Sequence, residues 1–268
     1  MVTVLLTMKT NQYERAYQTW GILTNLADRK RTITYKALGD LLNIHHRVVK
    51  WPLHLIQEHC LEAGLPGLSV LVISRSGVVG QGFVAYSRDR IAEGKKEVLD
   101  YDWKSLQNPF TFAATGESFQ SLVDDILEKP EERPVVYTKV KSRGMAQRLF
   151  RDALLDAYKG RCAMSGSSMT EVLEAAHIVP WSELDEAERL NPQNGLLLNV
   201  LYHRLFDNGI LTLDESFTVR LGADVKLDEL SEFDRGCLET VIDKRIKMPK
   251  HKDYFPGKDF IKWRLENY

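Results

Sequence analysis

Residues 173–213, LEAAHIVPWSELDEAERLNPQNGLLLNVLYHRLFDNGILTL, leave few folds open, because each short apolar run is closed by a turn-forming residue. EVLEAAHIVP reads as a strand closed by Pro180, and residues 191–195 as a turn. LLLNVLYHRLFDNG reads as a helix ended by Asn208 and Gly209. ILTLDESFTVRL follows as a hairpin, and DFIKWRLENY as a closing amphipathic helix. Upstream, VVYTKVKSRGMAQRLFRDALLDAYKGRCAMSG gives a strand, then a helix over about 144–159 stopped by Gly160. This order predicts a small α+β unit, with Leu196, Leu197, Leu198, Leu205 and Phe206 in its core. Within it His177 ends a strand and Asn194 opens an Asn-Gly pair. His203 and Asp207 stand four apart, on one helical face. Each alone has an ordinary reading: a structural histidine, a turn, a surface pair. Together, these types could serve one chemical step.

The chain has 268 residues, 44% apolar and 27% charged, which favours two domains. A net charge of −1 gives no global argument for a polyanionic partner, so local charge must carry any such argument. Cys60, Cys162 and Cys237 lie far apart with no C-x-x-C, which argues against a disulfide framework or a thiolate zinc site and fits a reducing cytoplasm. The apolar start, MVTVLLTMKTNQYERAY, is too short for a membrane span and lacks a basic leader. Helix-forming composition covers residues 11–29, and TITYKALGDLLNI adds a short β-branched start and a second helix. HHRVVKWPLHLIQEHCLEAG predicts a third helix from near Arg47, with Pro52 in its first turn and Gly64 as its stop. LSVLVIS and VVGQGFVAY read as two strands around an RSG turn. Helix, helix, helix, hairpin is the order of a winged helix-turn-helix. A further helix is expected at 117–128. The charged, two-proline EKPEERP marks a linker at 128–134, so the expected domains are 1–127 and 135–268.

GMAQRLFRDALLDAYKGRCAMSG, EAAHIVPW, NPQNGLLLNVLYHRLFDNGILTL and FIKWRLENY together resemble the HNH nucleases of the bacterial restriction-enzyme type, over roughly residues 135–268. The resemblance implies a ββα-metal fold and a metal-dependent DNA endonuclease. It makes His177 the base that activates water, Asn194 the residue that braces the loop, and His203 with Asp207 the metal ligands. A histidine and a carboxylate suit Mg²⁺ or Mn²⁺. Some HNH enzymes have a ligand directly before the base, where this chain has Ala176; Glu174, on the same strand face, is the candidate to replace it. Some relatives carry a zinc knuckle, but CAMSG supplies only Cys162, with Ser165 at the second place, so no structural zinc is expected.

RTITYKALGDLLNIHHRVVKWPLHLI and GLPGLSVLVISRSGVVGQGF resemble, more faintly, the winged helix of alkyltransferase-like proteins. The Pro-Cys-His-Arg of the alkyltransferases is absent, which excludes alkyl transfer and leaves DNA binding. His45, His46, Arg47 and Lys50 would open the recognition helix and meet DNA. Lys141, Arg143, Arg148 and Arg151 form a second basic run suited to a phosphate backbone. Either cluster also reads as a solvated helix face. The sequence therefore predicts a restriction-type endonuclease acting on foreign or modified double-stranded DNA, with a homodimer expected from the need for two cuts. One alternative is an effector nuclease that cuts without specificity under the control of an N-terminal sensor. Another is a decayed DNA-binding protein, against which His177, Asn194 and His203 argue.

Overall fold

The computed structural model describes residues 11–140, 143–186 and 188–268. Lys141 and the apolar start at residues 1–10 lie outside them. The chain divides into two compact units, Met1–Phe119 with Lys139–Met145, and Gln120–Thr138 with Ala146–Tyr268. No helix among the described residues is long and apolar enough to cross a membrane.

In the first unit, α1 (Gln12–Asp28) starts where the Asn11 side chain accepts the amides of Tyr13 and Glu14. Its buried stripe, Ala16, Trp20, Leu23 and Ala27, has helical spacing. Trp20 meets the rings of His59 and Trp103 edge-on. β1 (Ile33–Thr34) leads into α2 (Tyr35–Leu41), which the Thr34 hydroxyl caps. α3 (Lys50–Glu62) takes Pro52 in its first turn, where a missing amide costs little, and stops before Gly64 at φ +64°. The expected start near Arg47 is displaced. A local turn, with the Val48 amide on the His45 carbonyl and the Arg47 amide on His45 Nδ1, holds these residues ahead of the helix.

The two strands expected next are mostly replaced. Residues Leu68–Leu71 form a 3-10 turn, all four buried, and only β2 (Val72–Ile73) is extended, pairing in parallel with β1. Its hairpin partner supplies a single bridge, Ile73 to Val79. A run buried all round carries no periodicity that separates strand from any other buried backbone. α4 (Ile91–Asp100) forms in a stretch that reads only as polar, burying Gly94 and Val98.

α5 (Phe119–Glu128) buries Leu122, Val123 and Ile126. The expected linker at 128–134 is helical instead: a 3-10 turn, Pro130–Glu132, runs into α6 (Arg133–Val140), which also replaces the strand expected from VVYTKV. Pro130 and Pro134 both sit in first turns, where proline starts a helix rather than breaking one. Arg133 is buried and donates to the Ile126 carbonyl and to Asn191 Oδ1, each at 3.0 Å. α7 (Arg143–Ala157) ends just before Gly160 at φ +60°.

β3 (Leu173–His177) and β4 (Gly195–Asn199) form an antiparallel hairpin that sets His177 opposite Gly195 and Glu174 opposite Leu198. β4 corrects the expected helix start: Leu196, Leu197 and Leu198 are fully buried strand residues. Helix begins only after Asn199, whose side chain accepts the Leu201 amide at 2.8 Å and caps α8 (Val200–Asp207). The hairpin and α8 make a compact ββα module. β5 (Leu211–Leu213) and β6 (Val219–Leu221) pair as expected, and α9 (Glu232–Glu239) and α10 (Lys258–Asn267) follow.

Candidate active site

The end of β3 is held rigidly. Asn194 is fully buried, and its carboxamide is used on both sides: Oδ1 accepts the Val179 amide at 2.9 Å, and Nδ2 donates to the Val179 carbonyl at 3.2 Å. The Asn194 carbonyl also accepts the Ile178 amide at 2.9 Å. The two residues after His177 are thereby fixed. Gly195 is extended, at φ −133°, so its value lies in packing and not in a turn. A Cβ there would stand 2.7 Å from the Phe150 ring and 2.6 Å from Leu154. Phe150 stacks on the His177 imidazole at 4.0 Å and 14°, and Trp181 meets that ring edge-on at 5.6 Å. His177 Nε2 lies 3.2 Å from the Arg189 carbonyl. A carbonyl only accepts, so Nε2 carries the proton and Nδ1 is the basic nitrogen of the neutral ring.

The other half of the site lies between β3 and α8. His203 stands between two carboxylates, with Nδ1 2.6 Å from Glu174 Oε2 and Nε2 3.2 Å from Asp207 Oδ2. Its side chain is 17% exposed, against 39% for Glu174 and 43% for Asp207. Burial works against a charged imidazole, but Asp207 and Glu174 outweigh it and raise the His203 pKa. For Asp207 burial works upward, and His203 with nearby arginines brings its pKa below the usual value. Among the described residues no group of three or more His, Cys, Asp and Glu is arranged to hold a metal ion. What stands there is a hydrogen-bonded row of Glu, His and Asp, offering one nitrogen and one oxygen at a half-exposed edge. Such a pair fits an ion that keeps most of its water, as Mg²⁺ does. Glu174, the candidate for the Ala176 gap, bonds His203 Nδ1. Ala176 is fully buried.

Strand alternation puts His177 on the face opposite Glu174. The structure brings Glu174, His203 and Asp207 together, and links Asn194 to the backbone just beyond His177. Sequence reasoning missed Phe150 and also Arg264, whose bonds go to backbone carbonyls.

The expected DNA contacts divide. His45, His46, Arg47 and Lys50 are exposed. A cleft of about 630 Å³ is lined by His46, Arg47 and Lys50 with Lys36, Arg75, Tyr35, Thr34 and Ser74. Lys36 and Arg75 were not singled out in the sequence, because they come from separate segments. Arg148 is half-buried on α7. The Arg151 guanidinium is committed to the Leu173 and Thr170 carbonyls, at 3.1 and 3.0 Å, which gives it a structural task. The CAMSG loop closes through backbone bonds, and the buried Cys162 sulfur accepts the amides of Asn199 and Ser165.

Residues 162–214 match the family model of the HNH endonucleases. The match covers β3, β4, α8 and β5, with His177, Asn194, His203 and Asp207 inside it. It supports a nuclease domain acting on DNA, a phosphodiester hydrolase at the level of the family. No curated protein matches the chain.

Proposed function

We propose that this protein is a metal-dependent DNA endonuclease whose chemistry resides in the β3–β4–α8 module, directed by a DNA-reading first unit and serving as a restriction-type enzyme against foreign or modified DNA. What supports the reading is that one ββα module carries His177, at a strand end whose following backbone is fixed by Asn194, and a His203–Asp207 pair on its helix. His177 Nδ1 takes the proton from a water as its oxygen attacks the phosphorus and the P–O bond to the leaving deoxyribose oxygen breaks. The leaving oxygen takes its proton from solvent, while Nε2 keeps its own proton and donates it to the Arg189 carbonyl. Phe150 and Trp181 keep the ring in this plane. His203 and Asp207 would hold a divalent ion, and Glu174 orients His203 by accepting from Nδ1. When bound, the ion supplies a positive charge that stabilises the phosphate and the leaving oxygen.

In this reading the first unit meets the duplex with its basic cleft. Its cleft gathers Lys36, Arg47, Lys50 and Arg75, and among the described residues no acidic side chain lines it. Arginine at this place can fork to a guanine edge, and the lysines grip phosphate.

The test is cleavage of supercoiled plasmid, with and without base modification, in Mg²⁺ or Mn²⁺. His177→Ala should lose at least about 100-fold in rate, the lower range for a general base, while folding and DNA binding are retained. EDTA should abolish wild-type cutting and added Mn²⁺ restore it. Full activity in excess chelator, or near wild-type cutting by His177→Ala, would contradict the proposal.

A further inference from the structure

We infer that Arg264 is a positioning residue for the proposed cleavage, its guanidinium tying the strand end that carries His177 to the helix end that carries Asp207. The inference rests on the nuclease reading and concerns a residue outside the matched stretch. α10 delivers Arg264 into the second unit at 2% exposure. One terminal nitrogen donates to the Ile178 carbonyl at 3.0 Å, one residue past His177. The other donates to the Phe206 carbonyl, one residue before Asp207. The guanidinium carbon lies 3.7 Å from the Phe206 ring centre and 4.3 Å from that of Tyr268, which fixes its plane. A planar fork held in this way sets the separation of two carbonyls, which the single nitrogen of a lysine cannot do.

With this tie the peptide after His177 is bonded on every side. The Ile178 amide and both polar groups of Val179 go to Asn194, and the Ile178 carbonyl goes to Arg264. The Phe206 carbonyl belongs to the last turn of α8, where helix carbonyls favour a cation. Packing alone does not account for a guanidinium here. Among the described residues Arg264 Nε is buried with no hydrogen-bond partner, and burial lowers the pKa of the group. An apolar side chain of similar volume would fill the space at lower desolvation cost. What the arginine adds is a fixed distance between the two halves of the site.

The test uses the full chain with Mn²⁺ as the metal. Arg264→Lys keeps the charge and reaches one carbonyl. Arg264→Ala leaves a cavity that added guanidinium can fill. Arg264→Lys should fold and lose about 10- to 100-fold in kcat with little change in KM, as a displacement on the order of 1 Å does. Guanidinium in solution should restore part of the Arg264→Ala rate. In histidine-labelled protein the ring resonances of His177 and His203 should move, and those of His54 and His251 should not. A folded Arg264→Lys protein with wild-type kcat and unmoved His177 and His203 resonances overturns the inference. Where Arg264→Lys fails to fold, recovery of Arg264→Ala structure with guanidinium but no recovery of rate overturns it as well. A wild-type chain that cuts no DNA with any divalent ion defeats the nuclease reading instead. The ring resonances then still decide whether Arg264 sets the geometry of the two histidines.

Discussion

His203 has a carboxylate at each nitrogen, and the two differ in what they can do. Asp207, four residues on along the same helix, is the more exposed and shares with Nε2 the edge open to an ion. Glu174 holds Nδ1 from the neighbouring strand and fixes which nitrogen faces outward. Glu174→Gln should therefore weaken Mn²⁺ affinity about 10- to 100-fold with the fold unchanged, the range for a group that orients a ligand. His203→Ala should lose more than Asp207→Asn, which keeps an oxygen in place. Titration of each variant with Mn²⁺ checks this, and unchanged affinity in Glu174→Gln would remove its orienting role. At this scale the sequence was informative where residue types recur at telling spacings. His177, Asn194, His203 and Asp207 stood out by type and spacing, and Glu174 by its strand face. Arg264 did not, because nothing in its spacing ties it to Ile178 and Phe206, so far upstream.

The β3–β4 hairpin depends on one missing side chain. Gly195 lets Phe150 and Leu154 press against β4, and Phe150 is the ring that supports His177. Gly195→Ala should cost about 1–3 kcal/mol by overpacking. It should also reduce cleavage by more than the unfolded fraction explains, because Phe150 must move from beneath the imidazole. Denaturant melts and single-turnover cleavage on the same samples separate the two effects, and a rate that follows folded fraction alone would count against the coupling. Element boundaries were less legible than the residues. LLLNVLYHRLF is mostly apolar from its first residue to its last, so strand and helix merge in periodicity, and only the Asn199 cap marks the change. EKPEERP misled in the opposite sense: two prolines that suggest a linker begin helices once Arg133 finds buried acceptors.

The path of the chain matters for the whole molecule. The second unit takes Gln120–Thr138 as well as Ala146–Tyr268, so a cut at 128–134 divides that unit and does not free it. A fragment of residues 120–268 should melt cooperatively. One of residues 135–268 should be weaker, since it loses the buried Leu122, Val123 and Ile126, each worth about 1.5–3 kcal/mol. It also loses the Arg133 bond to Asn191. Equal melting temperatures for the two fragments would show that α5 adds nothing. The longer fragment lacks the Lys36, Arg47, Lys50 and Arg75 cleft, so its duplex binding should depend less steeply on salt. The composition could not foretell this, because a net charge of −1 hides a local cluster of four cations.

During synthesis, His177, Asn194, His203 and Asp207 all leave the ribosome before Arg264 is made. A nascent chain that has folded its ββα module still lacks the guanidinium that sets the two halves at their working distance. Ribosome-bound intermediates, and products of termination before position 264, should therefore carry the four proposed site residues and cut at least about 10-fold more slowly than the full chain. The tie from α10 thus makes full activity wait on the synthesis of α10.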